Sequence, residues 1–195
     1  MNALNRRFFQ QNVLECAHDL LGCELVWGEC SGLVVETEAY AEHNDPACHT
    51  ATRPSARKFI HDHPPGSAYV YFNYGMHWML NVLTKSSTHG NGLILIRALQ
   101  PTGGIDAMQE RRSAKLRRDP PSHDRWLCSG PAKLAAALAI TGKDHGRDLC
   151  ANPAFGFRKK TNTNPDTLAT PRIGISKAID FPWRFHLAHN PYTSR

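Results

Sequence analysis

The stretch Leu33–Tyr40 alternates with a period of two: Leu33, Val35, Thr37 and Ala39 fall on one face of an extended segment, and Val34, Glu36, Glu38 and Tyr40 on the other. A sheet is therefore required, and from one of its strands two acids and a tyrosine look the same way. A short strand is expected at Glu24–Trp27. Ser67–Phe72 and Met76–Thr84 are β-prone on either side of the turn signal Asn73-Tyr74-Gly75, which predicts a hairpin with Tyr74 at its tip. Leu93–Ala98 reads as a strand carrying Arg97 on the face of Leu93 and Leu95, and Arg172–Ser176 and Trp183–Leu187 are further strand candidates.

Helical spacing marks Asn12–Leu21, stopped by Gly22. It also marks a basic helix over Ile105–Arg118, with Ile105, Met108 and Leu116 inward, and Pro131–Ile140, entered through Ser129-Gly130-Pro131. Residues 41–66 hold Pro46, Pro54, Pro64, Pro65 and Gly66 with four histidines (43, 49, 61, 63), and read as a long irregular excursion of the kind that carries function. No regular βαβ rhythm and no glycine-rich nucleotide fingerprint occurs. The expected fold is mixed α/β of the α+β kind: one compact domain over residues 1–195, with a curved antiparallel sheet, a protruding hairpin and flanking helices.

Composition narrows the setting. Apolar runs such as Leu93–Ile96 and Leu134–Ile140 fall far short of the roughly 20 residues that span a bilayer, and no unbroken apolar stretch follows Met1, so a soluble, cytoplasmic protein without a membrane partner is expected. The six cysteines are scattered, with no Cys-x-x-Cys pair, which favours reduced thiols and removes the strongest zinc signature. Charge is lopsided: residues 1–96 hold 6 Lys/Arg against 9 Asp/Glu, and residues 97–195 hold 17 against 8, within a net +6. That asymmetry suits a cationic face for a polyanion, nucleic acid ahead of membrane, and equally a solvated basic surface.

Four groups could carry chemistry. Glu36 and Glu38, about 7 Å apart on one strand face, suit an acid/base pair of the kind that hydrolyses glycosyl bonds, and suit equally two acids solvating the polar side of an edge strand. Tyr74 at the hairpin tip, with Met76 nearby, has the character of an apolar wedge that props open a base stack, whereas Tyr69 and Tyr71 can be core residues. His43, Asp45, Cys48, His49, His61 and His63 match no standard ligand spacing, so no metal is expected. Arg97, a lone charge on an apolar strand, needs a partner, and Glu38 would suit it. An ionised acid there could orient or deprotonate a water.

Val35-Glu-Thr-Glu-Ala-Tyr40 with His49, Tyr69-Val-Tyr-Phe-Asn-Tyr-Gly-Met76 with Asn81, Leu95-Ile-Arg-Ala-Leu99 and Leu127-Cys-Ser-Gly-Pro-Ala-Lys-Leu134 together resemble the alkyladenine (3-methyladenine) DNA glycosylase family, from about Phe8 to Leu187. The resemblance implies a monofunctional enzyme, without lyase activity or cofactor. It would flip alkylated or deaminated purines out of double-stranded DNA and hydrolyse their N-glycosidic bond, acting as a monomer in base excision repair, at the nucleoid of a bacterium or in a eukaryotic nucleus. By position it makes Glu38 the acid that activates water, with Arg97 and the Ile173 carbonyl holding that water. Tyr40 and His49 become one wall of the base pocket, Tyr71 the ring opposite, and Asn81 the amide that disfavours guanine. Tyr74 becomes the inserted side chain, with Met76 and Leu95 beside it.

His49 is a candidate proton donor to neutral hypoxanthine, and Glu36 receives no catalytic role. Thr52-Arg-Pro-Ser-Ala-Arg-Lys58 departs from the family's Thr-x-Arg-Asn segment, and Trp78 stands where a smaller aromatic is expected. Arg111, Arg112, Lys115, Arg117 and Arg118 could grip the phosphate backbone or form a solvated helix face. The competing functions are a damage sensor that flips bases without cutting, and a metal-dependent nuclease or hydrolase using Asp45, Cys48, His49 and His61.

Overall fold

Eight antiparallel strands organise the chain in a computed structural model that describes residues 3–114, 116, 119–159 and 165–194. They are β1 (Glu24–Trp27), β2 (Cys30–Ala41), β3 (Ala68–Asn73), β4 (His77–Ser86), β5 (Gly90–Gly103), β6 (Phe155–Arg158), β7 (Thr167–Thr170) and β8 (Arg184–Leu187). The order is β3-β4-β5-β2-β1-β6, with β8 added to β2 and β7 to β8, and the sheet curls into a half-barrel. β2 is central. It pairs with β5 from Ser31 to Ala41, and its other side pairs first with β1 and then, at Glu36–Glu38, with β8. Neither acid therefore lies on an edge strand.

Beyond an irregularity at Ser31/Gly32, two offsetting bulges interrupt the middle of the β2–β5 ladder. Val34 faces Leu99 and Glu36 faces Ala98, which leaves Val35 as an extra residue; Thr37 then faces Ile96, which leaves Arg97 extra on β5. A bulge re-aims the side chains around it, and simple alternation fails here. Val34 joins Ala39 in the main core, and Thr37 donates its hydroxyl to the Ala17 carbonyl of helix α1 (Val13–Asp19) at 2.8 Å. Past the bulges the even positions Glu36, Glu38 and Tyr40 share a side as expected.

The excursion at 41–66 is not irregular throughout. It holds α2 (His49–Thr52) and α3 (Pro54–Asp62). Pro54 supplies the fixed φ suited to a first helical position, and Ala56, Phe59 and Ile60 recur at helical spacing and are buried. With Tyr69, Leu83 and Leu93 they form a second apolar cluster against which Tyr40 and Tyr71 rest. The main core lies across the sheet. There Phe9, Leu80, Ile94, Ile96 and Phe157 meet Met108 of α4 (Ile105–Ser113), Leu127 of α5 (Arg125–Cys128) and Leu134 of α6 (Pro131–Ala137). Each fully buried Leu, Ile or Phe contributes about 1.5–3 kcal/mol.

α4 stops at Ser113, and Lys115, Arg117 and Arg118 lie outside the described residues. Arg172–Ser176 is a bend rather than a strand, with Gly174 at φ +76°. β6 and β7, four residues each, carry no alternation strong enough to predict. Cys16, Cys48 and Cys128 are buried thiols whose ionisation burial pushes up. Among the described residues no helix is long and apolar enough to cross a membrane.

Candidate active site

A cavity of about 510 Å³ opens where β2, β4, β5, the hairpin and the 173–177 bend converge, and Tyr40, His49, Tyr71, Asn81, Arg97 and Ile173 all line it. Glu38 is fully buried and lies just beneath the floor. Its Oε1 accepts from the Ile173 N–H at 2.7 Å and stands 3.2 Å from Arg97 Nη1; its Oε2 accepts from the Tyr40 hydroxyl at 2.7 Å. A carboxylate offers about four acceptor directions. Three are filled by groups that line the cavity. Ile173 thus meets Glu38 through its N–H, a contact additional to the water-holding role expected of its carbonyl.

Glu36 is equally buried and held more tightly. Oε1 accepts from Arg97 Nε at 3.1 Å, Arg184 Nε at 2.6 Å and the Ser194 hydroxyl at 2.9 Å, and Oε2 from the Ser194 N–H at 2.6 Å. Burial alone would push its carboxyl up, but the Arg97 charge, the Arg184 bond and the Ser194 amide outweigh it and hold it below the ordinary carboxylate value. Arg97 thus lies between two carboxylates, which is what allows a nearly buried guanidinium.

Behind Tyr40 stands a buried ion pair. Arg172 binds Asp45 through two bonds of 2.6 and 2.8 Å, donates to the Ala39 carbonyl at 2.9 Å, and sets its guanidinium 4.6 Å from the Tyr40 ring centre. The pair fixes the residue before Ile173 and so the amide that meets Glu38. Burial first, then the Glu38 charge and bond, push the Tyr40 phenol above its ordinary value, so it stays a donor. Asp45 stood out only as a possible metal ligand, and nothing in the local pattern marked Arg184 or Ser194; the contacts of Asp45 with Arg172 and of Glu36 with Arg184 and Ser194 cross more than 100 residues.

His49 packs edge-on against Tyr71 with ring centres 4.4 Å apart, and its Nδ1 lies 3.2 Å from the Tyr69 hydroxyl. It therefore shares the wall of Tyr71, not that of Tyr40 as expected, because α2 begins at His49 and sets it over β3. Burial and the neighbouring Arg53 push His49 down to about 4, which leaves a neutral ring at pH 7. Asn81 pairs with Tyr69 on one side and Leu95 on the other, and donates Nδ2 to the Tyr69 carbonyl at 3.3 Å.

Tyr74 does sit at the hairpin tip, 80% exposed, with Met76 67% exposed. Tyr74 and Gly75 have φ of +49° and +65°, and the Met76 N–H donates to the Asn73 carbonyl at 3.0 Å, a tight turn within the three-residue loop 74–76 that joins Asn73 to its partner His77. Leu95 is elsewhere. It is buried in the middle of β5, paired with Glu38, and forms cavity wall rather than hairpin tip. Trp78 braces the hairpin: it packs on Phe72 at 4.6 Å and over Gly142, where an added Cβ would meet it at 2.8 Å.

The histidine and cysteine candidates do not converge. Asp45 is taken by Arg172, and His61 is exposed beside Asp62. Among the described residues no three His, Cys, Asp or Glu side chains group as metal ligands would. The arginines of α4 are also engaged: Arg111 with Glu29 and the Ala137 carbonyl, Arg112 over the Trp126 ring and on the Trp126 carbonyl.

The chain as a whole is similar to known proteins. A family model described as methylpurine-DNA glycosylase (MPG) matches residues 7–191. A Rhodopseudomonas palustris protein provisionally named as a 3-methyladenine DNA glycosylase is 46% identical over 192 residues, covering 98% of this chain and 88% of the relative. Proteins given the same provisional name in Carboxydothermus hydrogenoformans and Nitrosospira multiformis are 42% and 41% identical, covering 98% and 96% of this chain and 98% and 91% of those relatives.

Proposed function

The chain belongs to the methylpurine-DNA glycosylase family and is a DNA-repair glycosylase acting on DNA; from that premise we propose that it flips alkylated or deaminated purines into the cavity and excises them by water attack. The whole reaction is housed in the one domain over residues 1–195, acting as a monomer on damaged double-stranded DNA. One observation carries the reading: Glu38 lies under an aromatic-lined cavity with Tyr40, Arg97 and Ile173 converging on its oxygens.

A purine glycosidic bond is hidden in the duplex, so the nucleotide must leave the stack, at a cost that is least for a damaged pair. Tyr40 on one side, and Tyr71 with His49 on the other, supply faces for the extruded base, while Tyr74 fills the gap. An alkylated purine is already cationic and is attracted to such π faces. As the base departs, positive charge develops on the sugar. Glu38 stabilises that charge and takes the proton of a water that enters from the cavity, with Arg97 on the other carboxylate oxygen. Hypoxanthine departs neutral and needs a proton; His49, neutral at pH 7, is not its imidazolium donor.

The test is single-turnover release of free base from duplexes carrying 3-methyladenine, 7-methylguanine or hypoxanthine, with and without EDTA. Release that persists in chelator and disappears in Glu38→Gln is expected. Lesion binding without release would leave a damage sensor, and release that EDTA abolishes would leave a metal-dependent hydrolase.

A further inference from the structure

We propose that Ser194 is a positioning residue for the Arg97 guanidinium, acting directly and through Glu36. The inference rests on the reading in which Arg97 and Glu38 serve base excision. Arg97 is held on three sides: Nε on Glu36, Nη1 toward Glu38 and Nη2 on the Ser194 hydroxyl at 3.3 Å. The same hydroxyl donates its proton to Glu36 Oε1, so one oxygen couples the guanidinium to the carboxylate that anchors it. The Ser194 N–H is the partner of Glu36 Oε2, an oxygen that would otherwise be a buried, unsatisfied acceptor.

Ser194 is itself held. It is 7% exposed, its carbonyl accepts from Arg184 Nη2 at 3.3 Å, and the preceding Thr193 carbonyl accepts from the Ser129 hydroxyl at 3.3 Å. Arg184 also binds Glu36 and, through Nη1, the Thr170 hydroxyl. Segment 190–194 thus closes over the rear of the site and leaves the cavity side of Arg97 as the side open to substrate. Without the hydroxyl, Arg97 keeps its charge and loses one of the three contacts that fix its rotation. A misplacement on the order of 1 Å at a reacting centre can lower the rate about 100-fold.

Ser194→Ala should slow single-turnover release of hypoxanthine about 10- to 100-fold, with duplex binding within about 2-fold of the parent. Ser194→Thr, which restores the hydroxyl, should recover most of the rate. In an Arg97→Lys background, Ser194→Ala should add less than about 2-fold, because residues acting as one unit are not additive. A readout independent of catalysis is hydrogen exchange at Arg97 Nε, which should quicken at least about 10-fold in Ser194→Ala. Unchanged exchange, a parent-like rate in Ser194→Ala, or losses that multiply with Arg97→Lys would each overturn the inference. A parent protein that releases no purine, with Arg97 Nε exchange still governed by Ser194, would instead overturn the proposed function.

Discussion

Tyr40 donates its hydroxyl to Glu38 Oε2 at 2.7 Å, which ties a ring facing the cavity to the carboxylate beneath its floor. Glu38→Gln keeps this side chain's shape and a polar atom toward Tyr40, and removes the charge. Base release should fall by about 10²- to 10⁴-fold, the range that a general base contributes, while lesion-duplex binding stays near that of the parent and the melting temperature falls, because Arg97 keeps Glu36 but loses its second buried counter-charge. Near-native turnover would remove Glu38 from the chemistry.

Tyr74 contacts little of its own domain. Tyr74→Ser should change unfolding free energy by no more than about 0.5 kcal/mol and lower excision from paired hypoxanthine much more than from the same lesion in single-stranded DNA. Equal losses on the two substrates would argue against a wedge.

The Asp45–Arg172 pair is fully buried on both sides. Asp45→Ala leaves Arg172 charged and without its counter-ion, a change that costs about 3–5 kcal/mol. Denaturant unfolding should register it, and loss of base release should accompany it because Arg172 backs Tyr40 and precedes Ile173. A loss under 1 kcal/mol, on the order of an exposed pair, would mean that water reaches this site.

Acid should destabilise the fold in two stages of the same sign. An unfolded His49 takes up its proton near 6.5 and the folded ring only near about 4, so across that window the unfolded chain binds more protons and stability falls as pH falls. Glu36, held below its ordinary value, contributes stability that is present above the ordinary carboxylate range and is lost as pH drops through the lowered value. Melting temperature followed from pH 7 to 4 should decline, and His49→Gln should flatten the upper part of that decline. A variant with the parent's slope would contradict a neutral, half-buried ring.

What could be read from the chain beforehand divides along physical lines. Local signals survived: β1 falls on Glu24–Trp27 as expected, and Asn73-Tyr74-Gly75 makes the turn its residue types favour. Arg97 announced its need for a carboxylate because an apolar strand gives a guanidinium no other company. The burial of Glu36 was invisible, since two acids two residues apart read the same on an edge as in a centre until β5 and β8 are known to flank them. α3 was legible in principle through Pro54, Ala56, Phe59 and Ile60, and was masked by the prolines around it. Leu95 is set beside Tyr74 only by the family resemblance, and a motif match does not say which level of the sheet a strand residue reaches.

The paired bulges at Val35 and Arg97 have a consequence for how this architecture can vary. An additional residue on each strand, at nearly the same level, adds local twist to the ladder and turns the arginine out of the regular pleat. The bend of the wall and the aim of its cation share one origin. Trimming either strand by that residue would slide every side chain beyond it to the opposite face, so a reshaped cavity cannot be obtained by relaxing this kink while the guanidinium stays where it is.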